Sequence, residues 1–148
     1  MKTATRAQIA CVLAWLAPGA GHLFLGRRVR AAVFFVIVLT TFSLGLAFDG
    51  KPSVVDRRQP ILSWLQVFAN VGTGPVEALA RERIFGKLAY QLPPEDAGAE
   101  PHSDVGVELR RRTESPRTPY GTAYLWTAGL MNILLILDAF DIAMGRKP

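Results

Sequence analysis

The chain has 148 residues, half of them hydrophobic and a fifth charged, with 17 Lys and Arg against 12 Asp and Glu. Its length fits one soluble domain, but its apolar residues come in blocks of about 18–20, which is what a ~30 Å hydrocarbon core requires. The cations cluster briefly at segment ends, as juxtamembrane anchors do, which argues against a nucleic-acid-binding surface.

Met1 to Arg6 is a short positive leader, and Ala7 to Leu25 is the first expected membrane segment, apolar apart from Gln8 and His22. Cys11 lies alone within it, so neither an intrachain disulfide nor a thiolate metal cluster is expected. A cleaved signal peptide would explain Lys2 and Arg6 ahead of an apolar run. The Pro18-Gly19-Ala20 region, however, lacks a small-x-small cleavage site, and an uncleaved first helix is expected. Pro18 has no N–H and clashes with the preceding turn, so this helix should kink or break near Ala17. Gly19 and Gly21 let another backbone come close. Such a break survives in lipid only where neighbouring helices satisfy the freed carbonyls, which places the first helix inside a bundle.

Gly26-Arg27-Arg28-Val29-Arg30 forms a basic turn that marks one membrane face and offers Arg27, Arg28 and Arg30 to anionic lipid headgroups. Ala31 to Phe48 carries no ionisable group and reads as the second spanning segment. Asp49 to Pro60 is a turn-rich loop. From Ile61 to Ala80 a helical stripe of Ile61, Leu62, Trp64, Leu65, Phe68 and Val71 is interrupted by Gly72, Gly74 and Pro75. Pro75 suits the first turn of a new helix, with Thr73 or Gly74 as cap and Glu77 near the N-terminus. This region reads either as one kinked crossing or as an inserted helix followed by an interfacial one, with Arg81, Arg83 and Lys87 on the polar face of Val76 to Tyr90. Gln91 to Thr118 has few large apolar residues and reads as a disordered polar linker. Pro119 to Met144 is the last spanning segment, with Tyr120, Tyr124 and Trp126 at its start and Gly145-Arg146-Lys147 closing it. Charge bias among the loops fixes neither the number of crossings nor their orientation.

The candidate chemistry is sparse. Asp138 and Asp141 fall i, i+3 near the end of the last helix. Ionisable groups in a spanning helix often mark ion or proton paths, and the bland account is pairing with Arg146, Lys147 or a neighbouring loop. His22 carries an imidazole able to ligate a cofactor, and its bland role is a hydrogen bond into carbonyls freed by the Pro18 break. Asn132 reads as a helix–helix hydrogen bond. No phosphate loop, zinc-binding His-Glu motif or nucleophile elbow is present, and no cofactor or metal is expected.

The run Gly19-Ala20-Gly21-His22-Leu23-Phe24-Leu25-Gly26-Arg27 resembles the signature of the two-transmembrane "TM-two" domain, in which a glycine-x-glycine-x-histidine motif and a leucine-glycine-arginine motif join two helices. Leu23-Phe24 departs from that family's paired aromatics. The likeness covers about residues 7–48. The last helix, from Ala128-Gly129-Leu130-Met131-Asn132 through Leu137-Asp138-Ala139-Phe140-Asp141 to Gly145-Arg146-Lys147, is similar to the C-terminal signature of an uncharacterised family of small bacterial membrane proteins. Together the resemblances imply architecture and a bacterial inner membrane, and no activity.

The expected protein is all-α, a polytopic membrane helical bundle of three to four membrane segments with a broken first helix. Its parts are a hairpin over 1–48, a loop and third membrane or interfacial segment over 49–90, a linker over 91–118 and a C-terminal helix over 119–148. The expected role is non-enzymatic: an interaction or assembly protein, or accessory subunit, in the lipid bilayer with a membrane-protein partner or as a homo-oligomer. The alternatives are a small oligomeric transport or proton-conducting element using Asp138 and Asp141, and a cofactor-bearing subunit using His22.

Overall fold

The computed structural model describes residues 3–55, 60–86, 88, 90 and 116–147, and among these the chain is all-helical apart from one isolated backbone pairing, Val55 N–H to the Tyr90 carbonyl at 2.8 Å. The helices are α1 (Thr3–Leu16), α2 (Ala20–Phe24), α3 (Arg28–Ala47), α4 (Pro60–Val71), α5 (Pro75–Phe85) and α6 (Thr118–Ala143). Most of the expected linker, residues 91–115, lies outside the described residues, as does the Asp56-Arg57-Arg58 cluster.

Two helices, α3 with 20 residues and α6 with 26, are long and apolar enough to cross a membrane. At 1.5 Å per residue α3 is about 30 Å long, the thickness of a hydrocarbon core. They pack antiparallel. Val38 and Phe42 of α3 share a buried cluster with Leu125 and Ala128 of α6, and further along Gly45 lies against Gly121 and Leu125. α3 stops where Asp49 takes a left-handed conformation (φ 56°), a backbone state that Asp tolerates better than most side chains. The loop that follows folds onto the start of α6: Lys51 N–H donates to the Thr122 hydroxyl (3.2 Å) and the Trp126 indole donates to Ser53 (2.9 Å). This is called the loop end below.

At the opposite, terminal end, Ala7 and Ala10 of α1 pack with Leu25, Phe140 and Ala143. Along α1, Cys11 lies against the Ile136 carbonyl and Ala14 against Asn132, so α1 runs antiparallel to α6 from its C-terminus inward and ends near the middle. The chain then reverses. Gly21 of α2 sits against Ala10 and Ala14, and Leu25 is back beside Ala7. The segment expected to form one interrupted spanning helix is therefore a hairpin of half-depth arms that enters and leaves at the same end. The reason is local: the Ala17–Gly19 break includes Gly19 at φ 81°, which turns the chain around. α1 alone, at about 21 Å, is too short for a crossing.

α4 and α5 mirror this arrangement from the loop end. Ala69 meets Gly129, Gly72 meets Gly129 and Ile133, and then the chain reverses. Ala80 returns to the level of Leu125 and Ala128, and Arg81 reaches the Ser53 carbonyl in the loop. α5 opens at Pro75 with Gly74 before it and Glu77 in its first turn, and it ends at Gly86 in the left-handed region. Its polar residues do not all face a headgroup layer, as the interfacial reading of Val76 to Tyr90 expects. Arg81 and Glu77 are fully buried, paired with each other and with the loop. Partners from outside the helix, Ser53 and Tyr90, set which face of α5 turns inward. The resulting architecture is two full-length helices flanked by two half-depth hairpins of opposite entry.

Candidate functional site

The two hairpin tips meet at Asn132, fourteen residues from the start of α6 and eleven from its end, so near its middle. Helices that stop in a dry interior leave carbonyls without partners. Here the Asn132 amide donates to both interruptions, to the Ala14 carbonyl (3.2 Å) near the end of α1 and to the Gly72 carbonyl (2.9 Å) after α4. Trp15 adds a third tie, its indole N–H donating to the Val71 carbonyl at 3.1 Å. The backbones approach closely enough that a Cβ on Gly129 would overlap the Ala69 carbonyl and one on Gly74 would overlap the Trp15 carbonyl. The Asn132 Oδ1, both amide atoms of Asn70 and the Thr73 hydroxyl are buried here with no hydrogen-bond partner among the described residues. Asn132 thus makes the helix–helix bond expected of it, and to two helices at once.

A second polar group ties the returning arm of the first hairpin to α6. His22, fully buried, donates from Nε2 to Asp138 Oδ2 at 3.0 Å across 116 residues of sequence. The ionised carboxylate only accepts, so a proton sits on Nε2, and Nδ1 is buried with no hydrogen-bond partner among the described residues. Phe34 meets the imidazole edge-on at 5.0 Å. The other oxygen of Asp138 accepts from Lys147 Nζ at 2.8 Å, and Asp141 lies 3.5 Å from Arg146 and 3.9 Å from Lys147. Lys147, beyond the end of α6, is held above the usual lysine range by its hydrogen bond to Asp138, reinforced by that residue's charge and by Asp141. The structure therefore brings His22 and Asp138 together and leaves Asn132 six residues away along α6. The remaining motif residues serve turns: Pro18, Gly19 and Gly21 at the first hairpin, Gly26 and Arg27 at the entry to α3. The hydrogen bond of His22 goes to a side chain of α6, not to the carbonyls at the Pro18 break, and a cofactor ligated through Nε2 would have to displace Asp138.

A third group was not singled out from the sequence. Arg81 donates from Nε to Glu77 (2.7 Å) and from Nη2 to the Ser53 carbonyl (2.9 Å), its guanidinium forms an ion pair with the Glu77 carboxylate, and the Tyr90 hydroxyl donates to Glu77 at 3.4 Å. The Arg81 guanidinium lies 4.2 Å from the Tyr90 ring centroid, a cation–π distance. Burial, with the Glu77 charge adding to it, pushes the Tyr90 phenol above its usual range. The i, i+4 spacing of Glu77 and Arg81 was the available signal.

In chemical terms the site holds one imidazole–carboxylate pair, one buried Arg–Glu pair and a neutral amide–hydroxyl junction. Among the described residues no group of three or more His, Cys, Asp or Glu is placed to hold a metal ion.

Fold and site together define a small all-helical protein with two helices able to cross a membrane and polar ties in its interior. The chain matches a family of unknown function (DUF6677) over residues 9–148 and belongs to that family, in keeping with the uncharacterised family expected from its last helix. No curated protein matches it. No solved structure matches it either.

Proposed function

We propose that this protein is a non-enzymatic integral membrane protein that acts in assembly, as an accessory subunit of a larger membrane complex. In this reading α3 and α6 cross the bilayer and the two hairpins enter it from opposite faces. The observation that carries the membrane part is α4, where Ile61, Leu62, Trp64, Leu65 and Phe68 point outward while the smaller Ser63, Val67, Ala69 and Asn70 are buried. A helix that exposes its largest apolar side chains and turns Ser63 and Asn70 inward departs from the pattern of a soluble surface helix. The likeness of Gly19–Arg27 to the TM-two motif supports a bacterial inner-membrane location. The assembly role is supported by the use of the interior polar groups as ties between helices.

The test is extraction of tagged protein from its own membranes. Release by alkaline carbonate overturns the membrane reading. A stoichiometric set of partners after mild-detergent extraction and mass spectrometry supports the assembly reading, and migration as a lone small species overturns it. A second reading, a small transport or proton-conducting element, is favoured by one observation: two opposed hairpin tips meet at mid-depth beside buried, unpartnered Asn70, Thr73 and Asn132 atoms. Broken helices of inverted entry are how many transporters form a midplane site. Equal flux through liposomes bearing unmodified protein or Asp138→Asn/Asp141→Asn eliminates the aspartates from such a path.

A further inference from the structure

The Pro18–Gly19 break has a second consequence, on the outside of the fold. The turn seats directly on α3, with Gly19 against the Ala31 backbone, and because the residues beside that contact are small, a groove of about 350 Å³ runs along it. Its floor is Gly19, Ala20, Ala31 and Ala32, its inner end is closed by Pro18 and Phe35, and its outer end by Arg28. Apart from Arg28 no charged residue lines it, and Arg27 and Arg30 adjoin Arg28 in sequence with exposed side chains. Seven residues of helix separate Arg28 from Phe35, about 10 Å, so the cation lies at the terminal end and the apolar length runs inward from it.

An apolar slot with a cation at its membrane-surface end has the layout of an amphiphile of negative charge. We infer that this groove binds one anionic glycerophospholipid, with its phosphodiester at Arg28 and an acyl chain laid against Ala31, Ala32 and Phe35. Charge complementarity selects the occupant: three arginines in four residues face outward at that end with no carboxylate in the groove, and basic pockets between helices are where lipid phosphates are held. Asp138 and Asp141, the nearest acids at that end, are engaged by Lys147 and Arg146. The inference rests on the membrane reading above and specifies where its lipid contact is made.

The test is native mass spectrometry of the full chain released from detergent after exchange into mixed phosphatidylglycerol and phosphatidylcholine. One phosphatidylglycerol per chain is expected to survive in preference to phosphatidylcholine. Arg28→Gln, which removes one cation from the membrane surface, should reduce that occupancy about fivefold. Ala32→Phe, at an exposed position, should remove it by filling the slot, while Arg83→Gln at the loop end should leave it unchanged. Equal retention of both lipids, or unchanged retention in Arg28→Gln and Ala32→Phe, overturns the inference. Carbonate extraction of the same preparations keeps the two failures apart: a membrane-resistant protein that retains no lipid sinks the groove alone, and a released protein sinks the membrane reading.

Discussion

The two half-depth hairpins enter from opposite ends and are held by different physics. The first is held by small residues: Ala7, Ala10 and Ala14 are nearly inaccessible against α2 and α6, and Gly21 sits on the α1 backbone. Among the described residues its tie to a charged group is His22 to Asp138. The second shares that close approach, with Ala69 and Gly72 against Gly129, and adds a buried polar group. Glu77 and Arg81 are buried as a pair and strapped to the loop through Ser53 and Tyr90, while the large apolar side chains of α4 face outward. The contrast teaches that close backbone approach, which depends on shape and serves both arms, can be supplemented by a buried ion pair, which depends on every member being present.

The comparison breaks most visibly at the ion pair. Glu77→Leu leaves the Arg81 guanidinium buried without its carboxylate, and a loss of about 3–5 kcal/mol is expected from thermal unfolding in detergent. The double variant Glu77→Leu/Arg81→Met should recover much of it, since an apolar pair of similar volume often replaces a buried ion pair at little cost. The shape-dependent contact is next. Gly129→Leu forces α6 away from the Ala69 carbonyl and should cost about 1–3 kcal/mol by overpacking. The same assay reports it, with accelerated proteolysis between α4 and α5 as a second readout.

Asn132→Leu removes the donor from two carbonyls, one on each hairpin, and is expected to cost about 1–2 kcal/mol, because membrane hydrogen bonds average ~0.6 kcal/mol and unmet carbonyls add to that. It sharpens the comparison by loosening both tips together, so hydrogen exchange should rise at Ala14–Gly19 and at Gly72–Gly74 in one variant. A rise at only one tip would show that the hairpins are independently held. The smallest effect belongs to Lys147→Met. The lysine's pKa is raised in the fold by Asp138, so its contribution to stability is complete below its ordinary value of about 10.4 and is lost as pH rises through the raised one. The variant and the unmodified protein should therefore converge in strongly alkaline solution and differ slightly at neutral pH.

Several structural features were legible in the residues because they depend on local chemistry. The length and apolarity of α3 and α6, the break before Pro18 and the restart at Pro75 follow from backbone rules that act within a few positions. Asn132 as an interhelical bond, and Arg146 and Lys147 as partners for the last two aspartates, follow from the cost of leaving such groups alone in an apolar setting. What local chemistry cannot supply is direction. A Pro-Gly break reads the same whether the chain continues forward as a kinked helix or doubles back, and only the packing of Leu25 beside Ala7 and Ala143 decides that it doubles back. Likewise the inward face of α5 looked like a headgroup-facing stripe, because Ser53 and Tyr90, which hydrogen-bond the Glu77–Arg81 pair from outside the helix, are not its sequence neighbours.

By itself, then, the sequence determined an all-helical class, two of the three to four membrane segments it suggested as long apolar helices, and which polar residues would need partners. The tertiary structure alone decided who those partners are: His22 with Asp138 across 116 residues, Asn132 with two helix ends at once, and two hairpins entering from opposite ends. The physical reason is range. Helix formation and termination are settled over one or two turns, whereas the satisfaction of a buried polar group depends on whichever distant segment the packing brings within 3 Å.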